Sequence, residues 1–226
     1  MRRAILTASL VMLAAVTGCR KDDSSPTRPM TGAPEFPRPF QMSAPSSPNV
    51  PQTVVDAISQ LNAYAAAGNP YFILARNVSP QKTDTSWLWT LDIFPLTASL
   101  IATQLGDTVR WEVRVTGNDG YHVYENWLAV EGLSAPGYQQ WVSYAENRPD
   151  PIARIVVRHT ASGETKATLH LPEKEITYQA SMLDDSTAQI SAYRKGNLHF
   201  KSQWRRAASG WAKFYRKQRL VASVSW

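Results

Sequence analysis

From Ser86 to Trp226 apolar residues recur at every second position, and this period constrains the fold more than any other feature of the chain. Trp87, Trp89, Leu91 and Ile93 fall on one side of an extended backbone; Val109, Trp111, Val113 and Val115 form a second such row, with Arg110, Glu112 and Arg114 between them. Side chains of a strand alternate between two faces, so each run reads as a half-buried β-strand. Turn chemistry divides the stretch at Gly106-Asp107, Asn118-Asp119-Gly120, Arg148-Pro149-Asp150-Pro151, Ser162-Gly163, Asp184-Asp185 and Lys195-Gly196-Asn197. About a dozen strands joined so briefly must pair with their sequence neighbours, antiparallel, as a meander. One sheet of that length has to curl, because twist accumulates and free edges invite aggregation. The fold class expected is mainly β: an antiparallel β meander curled into a barrel or half-barrel, with one N-terminal α-helix. A two-sheet sandwich is the third arrangement, and no internal repeat chooses among them.

The helix is expected from about Pro51 to Ala67, where Val54, Ile58, Leu61 and Ala65 recur at helical spacing with Val55 beside them. Gly68-Asn69-Pro70 should end it, glycine as a left-handed cap and proline as a residue that cannot continue. Residues 71–75 fit either a short helix or a strand. Residues 49–226 are then one β-rich domain, long enough to bury a core of its own. The single cysteine, Cys19, lies outside it. The domain therefore holds no disulfide, and its stability comes from packing, to which eight tryptophans and nine tyrosines contribute.

The N-terminal end is of another kind. Met1-Arg2-Arg3 is positively charged, and Ala4 to Val16 is an apolar run of 13 residues interrupted only by Thr7 and Ser9. That is too short to span a bilayer, which needs ~20 apolar residues, and is the length of a signal-peptide core. The run closes on Val16-Thr17-Gly18-Cys19, which resembles the lipobox of bacterial lipoprotein precursors. The resemblance covers residues 1–19. It implies that the thiol of Cys19 receives a diacylglyceryl group, that cleavage follows Gly18, and that the chain is held in a membrane by two or three acyl chains, each methylene contributing ~0.8 kcal/mol. Arg20 stands where that family's inner-membrane retention signal usually places Asp, so the expected location is the cell envelope, at the outer membrane in a diderm bacterium. The alternative is an ordinary signal with Cys19 as a stray or buried thiol.

Residues 19–48 are expected to be the lipidated cysteine and a disordered tether. Pro26, Pro29, Pro34, Pro37, Pro39, Pro45 and Pro48 punctuate a polar stretch that buries too little apolar surface to offset its ordering entropy. Extended toward polyproline II at ~3.1 Å per residue, it reaches up to ~90 Å. Phe36 and Phe40 are the residues within it that could instead dock on the domain.

Catalytic and metal motifs are missing from the sequence. There is no G-x-S-x-G elbow, P-loop or G-x-G-x-x-G, and His122, His159, His170 and His199 lack zinc-site spacing. His159 and His170 flank a hairpin centred on Ser162-Gly163. With a two-residue turn His159 faces Lys166 and His170 faces Ile155, ~13 Å apart along the ladder and too far to share a metal. Asp184-Asp185 read as turn residues. Glu125 shares a face with Trp127 and becomes a buried acid only if that face is interior; Glu131 lies at strand spacing from it. No catalytic residue, cofactor or metal is expected, and the chain is read as a non-enzyme.

Charge is distributed unevenly. Without Arg2 and Arg3 the chain has 22 basic and 18 acidic residues, a net of +4, yet Ser186 to Trp226 holds nine basic residues and no acidic one. The remainder is thus net acidic. Arg194, Lys201, Arg205, Arg206, Lys213 and Arg216 are the candidate contacts for an anionic surface, interleaved with aromatic residues such as Phe200, Trp204 and Trp211; a solvated face above a core row is the plainer reading. The leading expectation is a non-catalytic, lipid-anchored binding or scaffolding module. Its partners would be the membrane through the anchor and an anionic lipid, a glycan or another envelope protein, not nucleic acid. The alternative is a carrier or receptor of an apolar ligand, a lipid or lipoprotein, held inside the curled sheet by Trp87, Trp89, Trp111 and Val113. In outline, helix plus half-barrel plus anchor is similar to the lipoprotein-insertion receptors of the outer membrane, without a motif-level match. Leu220, Ala222, Val224 and Trp226 resemble the last strand of outer-membrane β-barrels, but Gln189, Ser191 and Lys213 break the lipid-facing pattern such a barrel needs.

Overall fold

A computed structural model describes residues 32–146, 148–183, 186–205 and 209–226. Cys19 with the signal segment expected before it, Asp184, Asp185 and Arg206 lie outside these described residues.

The first helix, α1 (Gln52–Ala65), buries Val54, Ala57, Ile58, Leu61 and Ala65, the stripe its spacing foretells. The expected terminator then behaves differently. Gly68 has right-handed backbone (φ −80°, ψ −15°) and starts a second helix, α2 (Asn69–Ala75), with Pro70 in its first turn. Proline is tolerated there because its missing N–H would have no intrahelical partner. Gly68 serves close packing instead: a Cβ at this position would lie 3.0 Å from the Phe72 ring. Residues 71–75, open between helix and strand in the sequence, are helical and bury Phe72 and Ala75.

The strands are β1 (Gln81–Lys82), β2 (Ser86–Ile93), β3 (Leu96–Leu105), β4 (Thr108–Asn118), β5 (Val123–Ala135), β6 (Tyr138–Tyr144) and β7 (Pro151–His159). They continue as β8 (Thr165–Leu171), β9 (Ile176–Met182), β10 (Thr187–Arg194), β11 (Asn197–Arg205), β12 (Ser209–Arg216) and β13 (Arg219–Ser225). All thirteen form one antiparallel sheet in chain order, whose end strands β1 and β13 do not pair with each other. The meander is therefore an open half-barrel, neither a closed barrel nor a sandwich, and among the described residues two α-helices rather than one lie on its inner face.

One inner row runs through twelve of these strands. Trp87 pairs with Ala102, Ala102 with Trp111, Trp111 with Gly132, Gly132 with Trp141, and Trp141 with Ile155. Leu169, Tyr178, Ala192, Phe200, Phe214 and Ala222 carry it on to β13. Large residues alternate with very small ones where three indoles must share the row, so rings fill the space above their neighbours. Gly132 is the extreme case, since a Cβ there would overlap the Trp141 ring.

The segment read as tether is partly core. Phe40 and Met42 are buried, and Phe36 packs among Phe72, Trp89 and Trp111 with ring centroids 5.3, 5.4 and 5.7 Å away. Asn62 of α1 accepts from the Met42 N–H and donates to the Met42 carbonyl, both at 2.9 Å, and Gln139 donates to the Arg38 carbonyl at 3.0 Å. The packed part of the chain thus begins by Phe36, not at residue 49. Proline keeps this strap extended, and its apolar residues supply the burial that overall composition concealed.

Candidate functional site

The register separates five of the six basic candidates into two places. On the outer face Lys201 stands opposite Lys213 on one side and Ser191 on the other, and Arg205 lies further along β11 opposite Ser209. Arg194 and Arg216 lie at the opposite end, beside the turns that join β10 to β11 and β12 to β13. Arg206 is outside the described residues.

Around Lys201 the outer face of β8–β11 sinks into a trough of about 420 Å³. Its floor is made by residues that alternate with the core row: Gln179 and Ser181 on β9, Gln189 and Ser191 on β10. Two short serines between longer side chains create the depression, and both are buried, at 6% and 9% exposure. The Gln189 amide donates to the Ser181 hydroxyl at 2.9 Å. Lys166, paired with Glu164 at 2.9 Å, and Tyr193 complete the walls with Lys201. Beyond Lys201 the Lys213 ammonium lies over the Trp211 ring, 5.1 Å from its centroid. Amides, hydroxyls and ammonium groups here present both donors and acceptors. Such a surface can bind a polar, negatively charged chain.

At the other end, Arg194, Arg216 and Lys217 rim a cleft of about 390 Å³ lined by Leu198, Phe214, Tyr215 and Val221. His199 also borders it. The neighbouring Lys195 turns away to Glu175 at 3.0 Å. An apolar lining below a cationic rim suits an amphiphile.

The remaining candidates have local roles. The hairpin between β7 and β8 has a longer loop than a two-residue turn: His159 faces Thr165 and donates to or accepts from its hydroxyl at 2.9 Å, while His170 faces Arg154 and contacts Thr177 at 3.1 Å. The corrected register still keeps the two histidines apart, and no group of three His, Cys, Asp or Glu side chains could hold a metal among the described residues. Glu125 is exposed, because Asn126 enters the left-handed region (φ 56°) and disrupts the ladder beside it. Glu131 lies on the outer face and accepts from the Tyr144 hydroxyl.

Asp119 caps the turn before β5. Its carboxylate accepts the backbone N–H groups of His122 and Tyr121, which hold its pKa below the usual range, and it accepts from Tyr124 at 3.1 Å. Burial, and then that bond, pushes the Tyr124 phenol up. This accounts for the cluster as turn structure.

Trp87, Trp89, Trp111 and Val113 are all buried on the inner face. The space over Trp111 is filled by Phe36 and Phe72, with the Phe72 centroid 5.2 Å away, and its indole N–H donates to Ser134 at 2.8 Å. These side chains touch the protein's own aromatics. The trough residues Lys166, Gln179, Ser181, Gln189, Ser191 and Tyr193 were not named as a site by sequence. Their signal was available as polar residues at period two, Gln189-Ser191-Tyr193 above all, which count against a lipid-facing strand and equally mark a wet, chemically rich face. No protein-family model matches the chain, and no curated protein is similar to it in sequence.

Proposed function

We propose that this chain is a lipid-anchored, non-catalytic binding module of the cell envelope whose outer trough holds an acidic glycan strand. The observation that carries this reading is the trough itself: Lys166 and Lys201 flank a floor of amides and buried hydroxyls, and Lys213 on Trp211 extends the same face. Ammonium groups supply attraction to carboxylates, amides and hydroxyls supply directional bonds to sugar hydroxyls, and the indole offers a flat surface for a ring. Anchoring through Cys19 places such a module beside envelope polymers. A carrier of an apolar ligand is the second reading, favoured by the cleft at Leu198, Phe214 and Val221 rather than by the tryptophan interior.

The test is binding of polygalacturonate, with dextran as the neutral control, to the chain from residue 20 onward, which retains every described residue. Polygalacturonate should bind, weaken as salt rises, and lose at least about tenfold in affinity with Lys201→Glu and Lys213→Glu together. Equal binding of dextran, or indifference to the charge reversal, would overturn the proposal.

A further inference from the structure

The open sheet has two edges, and only one is protected. β1 is two residues long, and its Lys82 ammonium lies 5.6 Å from the centroid of the Trp87 ring. β13 is seven residues long, every one exposed, with no proline and no acidic side chain. Short length, charge and proline are the usual means by which an edge is kept from pairing, and β13 has only Arg219 at its start.

Its hydrogen-bond phase is fixed by Gly210 and Trp226, which exchange both backbone bonds at 2.9 and 3.0 Å. Antiparallel partners alternate between bonded and non-bonded pairs. Val224, opposite Ala212, and Ala222, opposite Phe214, therefore point their N–H and C=O groups inward to β12. Ser223 and Ser225 point theirs outward. Val221 is the extra residue of a bulge, since Phe214 and Tyr215 face Ala222 and Leu220.

We infer that β13 is a strand-addition site for an extended acidic segment of a partner protein, which pairs with Ser223 and Ser225 as a fourteenth strand. The inference goes beyond the trough reading and does not depend on it. Charge selects the occupant. Ser186 to Trp226 holds nine cations and no carboxylate side chain, so a second copy would bring the same cations alongside, whereas acidic side chains on the outer face would meet Lys213, which lies opposite Ser223. Alternate apolar residues of the same segment would cover Ala222 and Val224 on the inner face, where Val224 is 37% exposed. Backbone bonds then supply affinity, and the alternation supplies specificity.

The probe is a fluorescein-labelled octapeptide of alternating Glu and Val, followed by anisotropy against the chain from residue 20 onward. Binding should fall at least about tenfold with Ser223→Pro, which deletes an outward N–H but no bond to β12, and proline is tolerated on an edge strand in that position. A fully N-methylated peptide of the same sequence should not bind, and this arm leaves the protein unaltered should the proline variant fold poorly. Lys213→Glu should weaken binding severalfold. Equal affinity for the methylated peptide would show attraction by charge alone and overturn strand addition. A concentration-dependent dimer that Ser223→Pro dissolves would make a second copy the occupant and overturn the acidic partner.

Discussion

The two ends of the sheet are finished differently on both faces. At β2–β4 the inner face is roofed by α2 and the strap, so Trp89 and Trp111 are 2% and 1% exposed. On the outer face there, Arg110 meets Glu112 at 2.8 Å and Glu131 at 3.7 Å, and Arg114 meets Glu112 at 3.0 Å. At β11–β13 the inner side chains of the last strand stand in the open, with Val224 37% exposed. Outside, Lys201 faces Lys213, and neither forms an ion pair among the described residues. The first end takes its partners from its own chain. The second presents lysines, ladder groups and apolar side chains together, which is the composition of a contact surface rather than of a finished fold.

The sharpest way to break this contrast is to truncate one tryptophan at each end. Trp111→Ala removes an indole enclosed by Phe36, Phe72 and Trp89 and leaves the Ser134 hydroxyl without its donor. The cost expected is about 3–5 kcal/mol in urea unfolding. Trp211→Ala removes a half-buried ring with a lysine ammonium over it, and should cost less than about 1 kcal/mol. Similar costs for the two would abolish the distinction between the ends.

Alkali sharpens the comparison next. On the paired side, burial first and then the hydrogen bond to Glu131 push the Tyr144 phenol up to about 12 from 10.0. A raised folded-state pKa contributes stability that is fully present below the unfolded value and is lost as pH rises through the folded one, so the window is about pH 10 to 12. Tyr144→Phe should flatten that part of the stability curve by less than about 1 kcal/mol, since the group is partly solvated and screened. Absorbance of the phenolate near 295 nm reports the same shift, as a titration step missing in the variant. An unchanged step in Tyr144→Phe would locate the effect elsewhere.

What the sequence disclosed follows the same division. β4 is legible because Trp111, Val113 and Val115 alternate with charges, and the meander follows from glycine, asparagine and aspartate in the turns. Turns without such residues stayed hidden. Lys217 and Gln218 join β12 to β13 with φ of 49° and 64°, a conformation two-residue hairpins favour but long side chains seldom mark. The strap was hidden for a different reason, although Phe36 and Phe40 stood out as residues that could dock. Proline and serine gave it the composition of a tether, while Phe36 meets the rings of Phe72, Trp89 and Trp111, from 36 to 75 residues away, a contact no local period records. The trough was half visible: Lys201 and Lys213 stood out by charge, but Ser181 and Ser191 become a floor only once the register sets them opposite Gln189 and Gln179. Alternation shows that a segment is a strand, not what covers it.

β13 is where that limit can be measured, because its alternation matches that of β4 and its surroundings do not. Val224→Ala deletes two methyl groups that are already 37% exposed, so little area leaves the protein interior and no enclosed cavity remains. The expected loss is within about 0.5 kcal/mol, against roughly 1–3 kcal/mol for Val113→Ala, which is 1% exposed on β4. Matched urea curves for the two variants give the difference directly. A cost at Val224 approaching that at Val113 would mean that the chain itself covers the last strand, and Ser223 and Ser225 would then have no room for an added one. A negligible cost leaves this edge and its apolar face open to a partner, as pairing from outside requires.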